Sequence, residues 1–354
     1  MTNAHSEDSL KNIATIFIQS GSSVTKAARA AGVPRTTMQS RVDAARLKGY
    51  LEGSEFGKDY QEAVKIETED SAPIVTVKPR LTIIQRPEAK GVNKRILAIG
   101  DAHDSPHIPD KSRFYALGKY ARDNDIDKVI QIGDFASLDS LSRHDANDTL
   151  KGREKPSFDD DMLSFSDALS AFHDGLGGRR VEKHVVLGNH EDRIWSFTNR
   201  NPEVVHILDN ILYQNLNMYG WTYSPFGELY FEGDVAFTHV PLNTMGKAYG
   251  GMHCENQIAR DSLHDIVFGH THKRLDKTFP KLGGQSITVI NLGCALPDGH
   301  IEDYAKHSLT GWSYGAYDIT IKDGKISERT WIPMGKLKEE YSEGYKHIEH
   351  GEQS

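Results

Sequence analysis

Six short apolar runs, each followed at once by polar residues, constrain the fold of this chain more than any other feature of the sequence. In chain order they read RILAIGDAH from Arg95, KVIQIGD from Lys128, KHVVLGNHE from Lys183, VAFTHV from Val235, DIVFGHTH from Asp265 and ITVINLG from Ile287. Short apolar runs bounded by glycine are typical of buried strands. Because helical patterns lie between several runs, the sequence predicts a layered α/β fold with reactive side chains at the strand ends, where such folds bind ligands.

The strand ends carry side chains that are suited to binding hard or borderline metal ions. They are Asp101, His103, Asp134, Asn189, His190, His239, His270 and His272. Carboxylate, imidazole and amide ligands without a thiolate favour two divalent ions, with manganese expected and iron, zinc or a mixed pair as alternatives. Alternate residues at a strand end point the same way, and a carboxylate such as Asp134 can bridge two ions. His253 is the alternative to His239, which has no motif of its own.

The series DxH, GD, GNHE, H and GHTH resembles the calcineurin-like metallophosphoesterase superfamily over residues 95–332. The resemblance implies a four-layer αββα sandwich with a dinuclear site at the sheet edges. It implies a first metal ion held by Asp101, His103, Asp134 and His272. It implies a second ion held by Asp134, Asn189, His239 and His270. His190 matches the histidine that contacts the scissile phosphate and assists the leaving group in that superfamily.

The residues around the GD and GNHE motifs bear on the substrate. Protein phosphatases of that superfamily follow the bridging aspartate with valine, aspartate, arginine and glycine, whereas this chain continues with Phe135 to Leu138. The difference argues against a phosphoprotein substrate. Arg143, His144 and Arg193 are candidate phosphate contacts, because a guanidinium group pairs bidentately with phosphate.

The first fifty residues form a basic unit at the start of an acidic chain. They carry a net charge of +4, whereas the whole chain carries −8. Helical spacing predicts three short helices there, and residues 27–42 resemble a bacterial helix-turn-helix, whose second helix enters the DNA major groove. An ordinary packing or oligomerisation unit is the alternative. The candidate DNA contacts are Arg35, Thr36, Thr37, Gln39, Ser40 and Arg41.

The predicted organisation has four parts. They are a helix-turn-helix module over residues 1–51, a linker with an edge strand over 52–94, a metallophosphoesterase domain over 95–335 and a charged tail over 336–354 that frays. A hairpin is predicted at Asp323 and Gly324. The two cysteines are expected to be unreactive core thiols in a reducing compartment. No apolar run reaches membrane-spanning length, so we expect a cytoplasmic protein with no membrane partner.

Together these features predict a dimetal phosphodiesterase that acts on nucleic acid, most simply DNA, and is targeted by its amino-terminal module. The combination is similar to proteins of bacteriophages and prophages. A phosphatase of a small molecule or a phosphoprotein is one alternative, and a DNA-binding regulator with a non-catalytic metal site is another. The oligomeric state stays open, with a dimer as one option.

Overall fold

The computed structural model describes residues 7–20, 24–33, 91–143, 150–251, 253–302 and 311–346, together with positions 35, 37, 38, 41, 42, 45 and 305. The chain divides into two compact units, Met1–Leu81 and Thr82–Ser354. Most of the predicted linker, up to residue 90, lies outside the described residues.

The described part of the first unit is helical. Helix α1 comprises Glu7–Gln19, α2 comprises Val24–Ala30, and the described positions between 35 and 45 are also helical. One apolar cluster joins Ile13, Phe17, Ala27, Ala28, Met38 and Val42. Helical packing is therefore confirmed at these positions, whereas Thr36, Gln39 and Ser40 lie outside the described residues. The helix-turn-helix identity and DNA binding stay predictions.

The second unit is built on two mixed β-sheets. Its strands are β1 (Lys94–Ile99), β2 (Lys128–Gln131), β3 (Glu182–Val186), β4 (Trp221–Ser224), β5 (Tyr230–Glu232), β6 (Val235–Phe237), β7 (Asp265–Phe268), β8 (Arg274–Pro280), β9 (Ser286–Leu292), β10 (Gly315–Lys322) and β11 (Lys325–Pro333). The six-stranded sheet has the order β11-β10-β1-β2-β3-β4, and the five-stranded sheet has the order β5-β6-β7-β9-β8. All six apolar runs form strands, as predicted. The strands β1 to β4 are parallel neighbours, and so are β6, β7 and β9.

The described residues of the second unit also form seven α-helices. They are α3 (Ser112–Asp123), α4 (Leu150–Arg153), α5 (Phe158–Leu176), α6 (Asp192–Thr198), α7 (Leu208–Met218), α8 (Cys254–Asp261) and α9 (Met334–Tyr341). Helix α5 begins with a capping box, in which Ser157 and Asp160 exchange side-chain-to-backbone hydrogen bonds.

Alternation along the strands explains the layers. In β1, Leu97 and Ile99 pack in a cluster with residues of α3, α5, α7 and α9, whereas Ile96 and Ala98 pack against the second sheet. The far face of the second sheet packs against α8 through Ile258. Both faces of the central strands, such as β2 and β7, are therefore buried, and the order of layers is helix, sheet, sheet, helix.

The predicted hairpin is confirmed. Strands β10 and β11 pair antiparallel, with Lys322 opposite Lys325, and Asp323 and Gly324 form the turn between them. Both turn residues have positive φ, +49° and +78°, which is the backbone that a two-residue hairpin turn requires.

The prediction that the chain frays after Met334 is wrong for the residues that follow at once. They form α9, in which Leu337 is fully buried and the ring of Tyr341 packs edge-on against Tyr120 of α3. The high charge of this segment concealed the apolar face, because its basic and acidic residues lie on the solvent side. The chain beyond residue 346 lies outside the described residues.

We expect Leu337→Ala to lower the free energy of unfolding by about 2–4 kcal/mol, because it removes a fully buried leucine and leaves a cavity. Urea denaturation measures the change. Lys336→Ala, on the exposed side of the same helix, is the matched control and is expected to change stability by less than about 1 kcal/mol. Equal small effects for both variants would contradict the docked helix.

None of the helices within the described ranges is long and apolar enough to cross a membrane. Of the two cysteines, Cys294 is buried as predicted, whereas Cys254 is only half-buried at the start of α8, so its core placement is wrong. Burial raises the pKa of both thiols, and both are therefore poor nucleophiles at neutral pH.

Candidate metal centre

Five strand ends, three from the first sheet and two from the second, place the candidate ligands in one cluster. Strands β1, β2 and β3 run into the DAH, GD and GNHE motifs, and β6 and β7 run into His239 and the GHTH motif. Three overlapping groups have ligand atoms within 4.8 Å of one another: Asp101, His103 and His272; His103, Asp134 and His190; and Asp134, His239 and His270. Asn189 lies beside the last group, because its Oδ1 is within hydrogen-bond distance of Nε2 of His239. All eight predicted residues thus come together, whereas His253 stands apart with a side chain 73% exposed.

The backbone at the centre is strained. His103, Asp134, His270 and His272 have φ values of +41°, +47°, +68° and +57°, in the left-handed region that glycine favours. Each such residue costs on the order of 1–3 kcal/mol, and such strain concentrates at functional sites. The surrounding fold therefore offsets this cost while it aims these side chains at one point.

In the first half of the centre, two imidazole rings converge. Nε2 of His103 lies 3.0 Å from Nε2 of His272, and Oδ1 of Asp101 lies 3.7 Å from the latter nitrogen. Two ring nitrogens at this distance need either a shared proton or a shared cation. Because all three side chains are buried, this donor set fits a divalent metal ion.

In the second half, His239 is already oriented as a ligand. Its Nδ1 donates a hydrogen bond to the carbonyl of Ile132 at 2.8 Å, which leaves Nε2 directed at the centre. This Nε2 lies 2.9 Å from Oδ1 of Asn189 and 3.2 Å from Oδ2 of Asp134. Three ligand atoms of types that bind divalent ions therefore meet within a short distance of one another.

The charges at the centre call for cations. Burial and the neighbouring carboxylate of Asp134 raise the pKa of Asp101 to about 7. Burial lowers the pKa of His239, but Asp134 and Asp101 outweigh burial and raise it to about 9. Two buried carboxylates thus lie close together, and bound cations would stabilise their negative charges, as is typical of a metal site.

With this geometry in place, the comparison with known families is decisive. Residues 94–274, just over half of the chain, match the family described as calcineurin-like phosphoesterase. The chain belongs to that family. The predicted resemblance is therefore confirmed over residues 94–274. No curated protein sequence matches the chain.

Solved structures with similar folds include three that each overlap about two thirds of this chain. They are Yfce, a phosphoesterase from E. coli (13% identity, 67% of this chain and 98% of that chain, TM-score 0.31), Vps29 complexed with zinc from Entamoeba histolytica (16%, 67% and 98%, 0.28), and TT1561 of Thermus thermophilus (12%, 68% and 99%, 0.28).

In this calcineurin-like phosphoesterase, His190 lies beside the predicted bridging carboxylate. Its Nδ1 donates to the carbonyl of Ser137 at 2.8 Å, and its Nε2 accepts from Arg193 at 3.1 Å and lies 3.9 Å from Oδ2 of Asp134. Burial lowers the pKa of His190, and the charge of Arg193 adds to that effect. The ring is thus locked with Nε2 facing the centre.

The predicted phosphate contacts differ in their placement. Arg193 is half-buried and donates to the carbonyls of Ser137 and Leu138, so much of its donor capacity is already used within the protein. Arg143 is exposed and donates to the carbonyl of Ser196. Both line a cavity of about 190 Å³ that also includes Asn189, which we call the arginine cavity. His144 lies outside the described residues.

Glu191 is a site residue that the sequence analysis did not assign. Its buried carboxylate accepts the backbone N–H groups of Gly188 at 2.7 Å, Asp134 at 3.0 Å and Ala136 at 3.0 Å. It therefore ties the strand end of β3 to that of β2. The sequence signal that could have identified Glu191 was its position in the GNHE motif, directly after two site residues.

A second buried carboxylate, Asp104, joins the ends of β1 and β2. Its side chain accepts from Lys111 and from Ser164 of α5, both at 2.7 Å, while its backbone N–H donates to Phe135. This pairing of a buried acid with a lysine satisfies both charges. The contact between Asp104 and Ser164 thus fixes the loops that carry the ligands to α5.

The glycines of the motifs allow the close approach of these loops. A Cβ on Gly188 would lie 2.2 Å from the backbone nitrogen of Asp134, and one on Gly269 would lie 2.4 Å from Oδ2 of Asp101. Only glycine therefore leaves room for the carboxylates at these two positions.

Proposed function

We propose that this phosphoesterase hydrolyses phosphate esters with two divalent metal ions that share Asp134. The observation that carries the proposal is that Oδ2 of Asp134 lies 3.2 Å from Nε2 of His239 and 3.8 Å from Nε2 of His103. One carboxylate oxygen therefore reaches both halves of the centre. We assign the first ion to Asp101, His103, Asp134 and His272, and the second to Asp134, Asn189, His239 and His270.

We propose that both ions are manganese. Two such ions would lower the pKa of a water molecule and neutralise charge on the phosphoryl oxygens. In the hydrolysis, the water oxygen joins phosphorus, the P–O bond to one alcohol breaks, and a proton ends on that alcohol. We assign the proton transfer to Nε2 of His190, which accepts from Arg193 and so carries no proton at the start. This nitrogen would take the proton that the attacking water releases and pass it to the leaving alcohol.

We further propose that the substrate is a phosphodiester of nucleic acid, most simply DNA. Two features support it. The arginine cavity places Arg143 and Arg193 beside Asn189, and the first fifty residues carry a net charge of +4. The proposed DNA contacts of the amino-terminal module are Arg35, Thr36, Thr37, Gln39, Ser40 and Arg41. The proposed phosphate contacts of the second unit are Arg143, His144 and Arg193.

The test is cleavage of end-labelled linear single-stranded and duplex DNA by the purified full chain with manganese, beside Asp134→Ala. We expect cleavage that stops in the variant and stops on chelation of the metal. Equal cleavage by the variant would contradict the shared-carboxylate site.

Two other results would replace the nucleic-acid substrate. Intact DNA together with rapid hydrolysis of p-nitrophenyl phosphate would indicate a phosphatase of a small molecule or phosphoprotein. Metal binding and DNA binding without hydrolysis of any ester would indicate a regulator.

A further inference from the structure

The segment of residues 137–141, which we call the Ser137 turn, fixes the direction of the His190 ring. The carbonyl of Ser137 accepts hydrogen bonds from Nδ1 of His190 at 2.8 Å and from Arg193 at 2.7 Å. The carbonyl of Leu138 accepts a further hydrogen bond from Arg193 at 3.2 Å. A rotation of the Ser137 carbonyl would therefore release the ring from the direction in which its Nε2 faces the candidate metal centre.

The direction of that carbonyl depends on a strained residue. Leu138 has a φ of +49° and a ψ of +51°, in the left-handed region, and its side chain is fully buried. Such a backbone costs a residue other than glycine on the order of 1–3 kcal/mol, so it persists where contacts on both sides hold it. Before Leu138, the backbone N–H of Ser137 donates to the carbonyl of Asp104 at 2.8 Å. The part of the turn that follows Leu138 needs a contact of its own.

Asp161, in the first turn of α5, supplies this contact. Its side chain is only 3% exposed, and its Oδ2 accepts the backbone N–H of Ser140 at 3.0 Å. Among the described residues, its Oδ1 has no hydrogen-bond partner. Burial raises the pKa of Asp161 to about 6, as does the charge of Asp139, whereas Ser140 and the charge of Arg193 lower it. Burying a carboxylate with one such hydrogen bond costs more free energy than the bond contributes, so stability alone does not explain this residue.

We propose that Asp161 is a positioning residue for the proton transfer at His190. Its carboxylate fixes the end of the Ser137 turn, the turn fixes the carbonyl of Ser137, and that carbonyl orients the imidazole ring. Asp161 acts through these contacts rather than on the substrate. The inference rests on the phosphoesterase activity proposed above and on the proton transfer assigned there to His190.

The test uses the manganese-loaded full chain and two diesters whose leaving groups differ in basicity. Phenolate, from diphenyl phosphate, is a stronger base than p-nitrophenolate, from bis(p-nitrophenyl) phosphate, and therefore depends more on a proton from His190. We expect Asp161→Ala to lower kcat at least 10-fold for diphenyl phosphate and less than 3-fold for bis(p-nitrophenyl) phosphate, with KM unchanged. Asp161→Asn keeps an oxygen that can accept from Ser140, and it is expected to restore kcat for diphenyl phosphate to within 3-fold of the unaltered chain.

Asp159→Ala is the matched control, because it removes an exposed carboxylate from the same first turn of α5. It is expected to leave kcat unchanged for both esters. Equal losses on the two esters in Asp161→Ala would indicate a structural role alone and overturn the inference, as would no loss on either ester. If the unaltered chain hydrolyses neither ester, the proposed function itself is contradicted.

A double-mutant cycle tests whether Asp161 acts through His190. In a His190→Ala chain, adding Asp161→Ala is expected to lower kcat for diphenyl phosphate by less than 2-fold further, because the ring that the turn orients is gone. A further loss of 10-fold or more would show that Asp161 acts independently of His190 and would overturn the inference. Circular dichroism checks the folding of each variant. Asp161→Leu, which fills the volume and also lacks an acceptor, replaces the alanine variant if that one does not fold, with the same expected results.

Discussion

Replacing Asp134 with asparagine is expected to lower kcat for bis(p-nitrophenyl) phosphate by about 1,000-fold, which corresponds to roughly 4 kcal/mol of transition-state stabilisation. The carboxylate contacts His239 in one half of the centre and His103 in the other. Asparagine keeps the size of the side chain but removes the charge and one oxygen ligand. It therefore cannot neutralise two cations at once.

A measurement of metal content distinguishes the loss of the bridging carboxylate from a loss of folding. Titration with manganese, followed by calorimetry, is expected to show two bound ions in the unaltered chain and fewer in Asp134→Asn, while circular dichroism stays the same. Asp174→Asn, an exposed substitution at the end of α5, is the matched control and should bind two ions with full activity. Two tightly bound ions and full activity in Asp134→Asn would refute the bridge.

Glu191→Gln is expected to weaken manganese binding by about 10-fold to 100-fold, the usual effect of removing a partner that orients a metal ligand. Glu191 accepts the backbone N–H groups of Gly188, Asp134 and Ala136. The glutamine amide offers one oxygen and one NH₂ group, which would face a backbone N–H donor. At least one buried N–H loses its acceptor, at a cost of about 1–3 kcal/mol.

The measurement pairs the manganese dissociation constant with the free energy of unfolding. If Glu191 positions Asp134, both change. If it serves stability alone, the unfolding free energy falls while the dissociation constant stays constant, and that result would count against the positioning role. Glu203→Gln, an exposed substitution, is expected to change neither quantity.

The strands and most of the centre were predictable because they depend on local patterns. Short apolar runs form strands wherever they can be buried, and residues that follow parallel strands meet at one edge of a sheet. Asp101, Asp134 and Asn189, which follow the parallel neighbours β1, β2 and β3, could therefore be grouped before any distance was known. His239 was harder, since a single histidine has no motif, and only its contacts with Asn189 and Asp134 separated it from His253.

Other features depended on contacts between residues that are distant in sequence. The docking of α9 depends on a partner helix more than two hundred residues earlier, so local charge gave a misleading prediction of fraying. The role of Glu191 depends on backbone groups of another loop, which carry no side-chain signal.

By itself, the sequence determined the α/β class, the positions of the buried strands along the chain, the hairpin at Asp323 and the set of metal-binding residue types. Each of these follows from the residues within a short window. Only the tertiary structure decided which carboxylate oxygen faces both halves of the centre and which backbone groups Glu191 binds. The physical reason is that these contacts form between loops that are distant in sequence. The distances between their side chains depend on how the two sheets pack together.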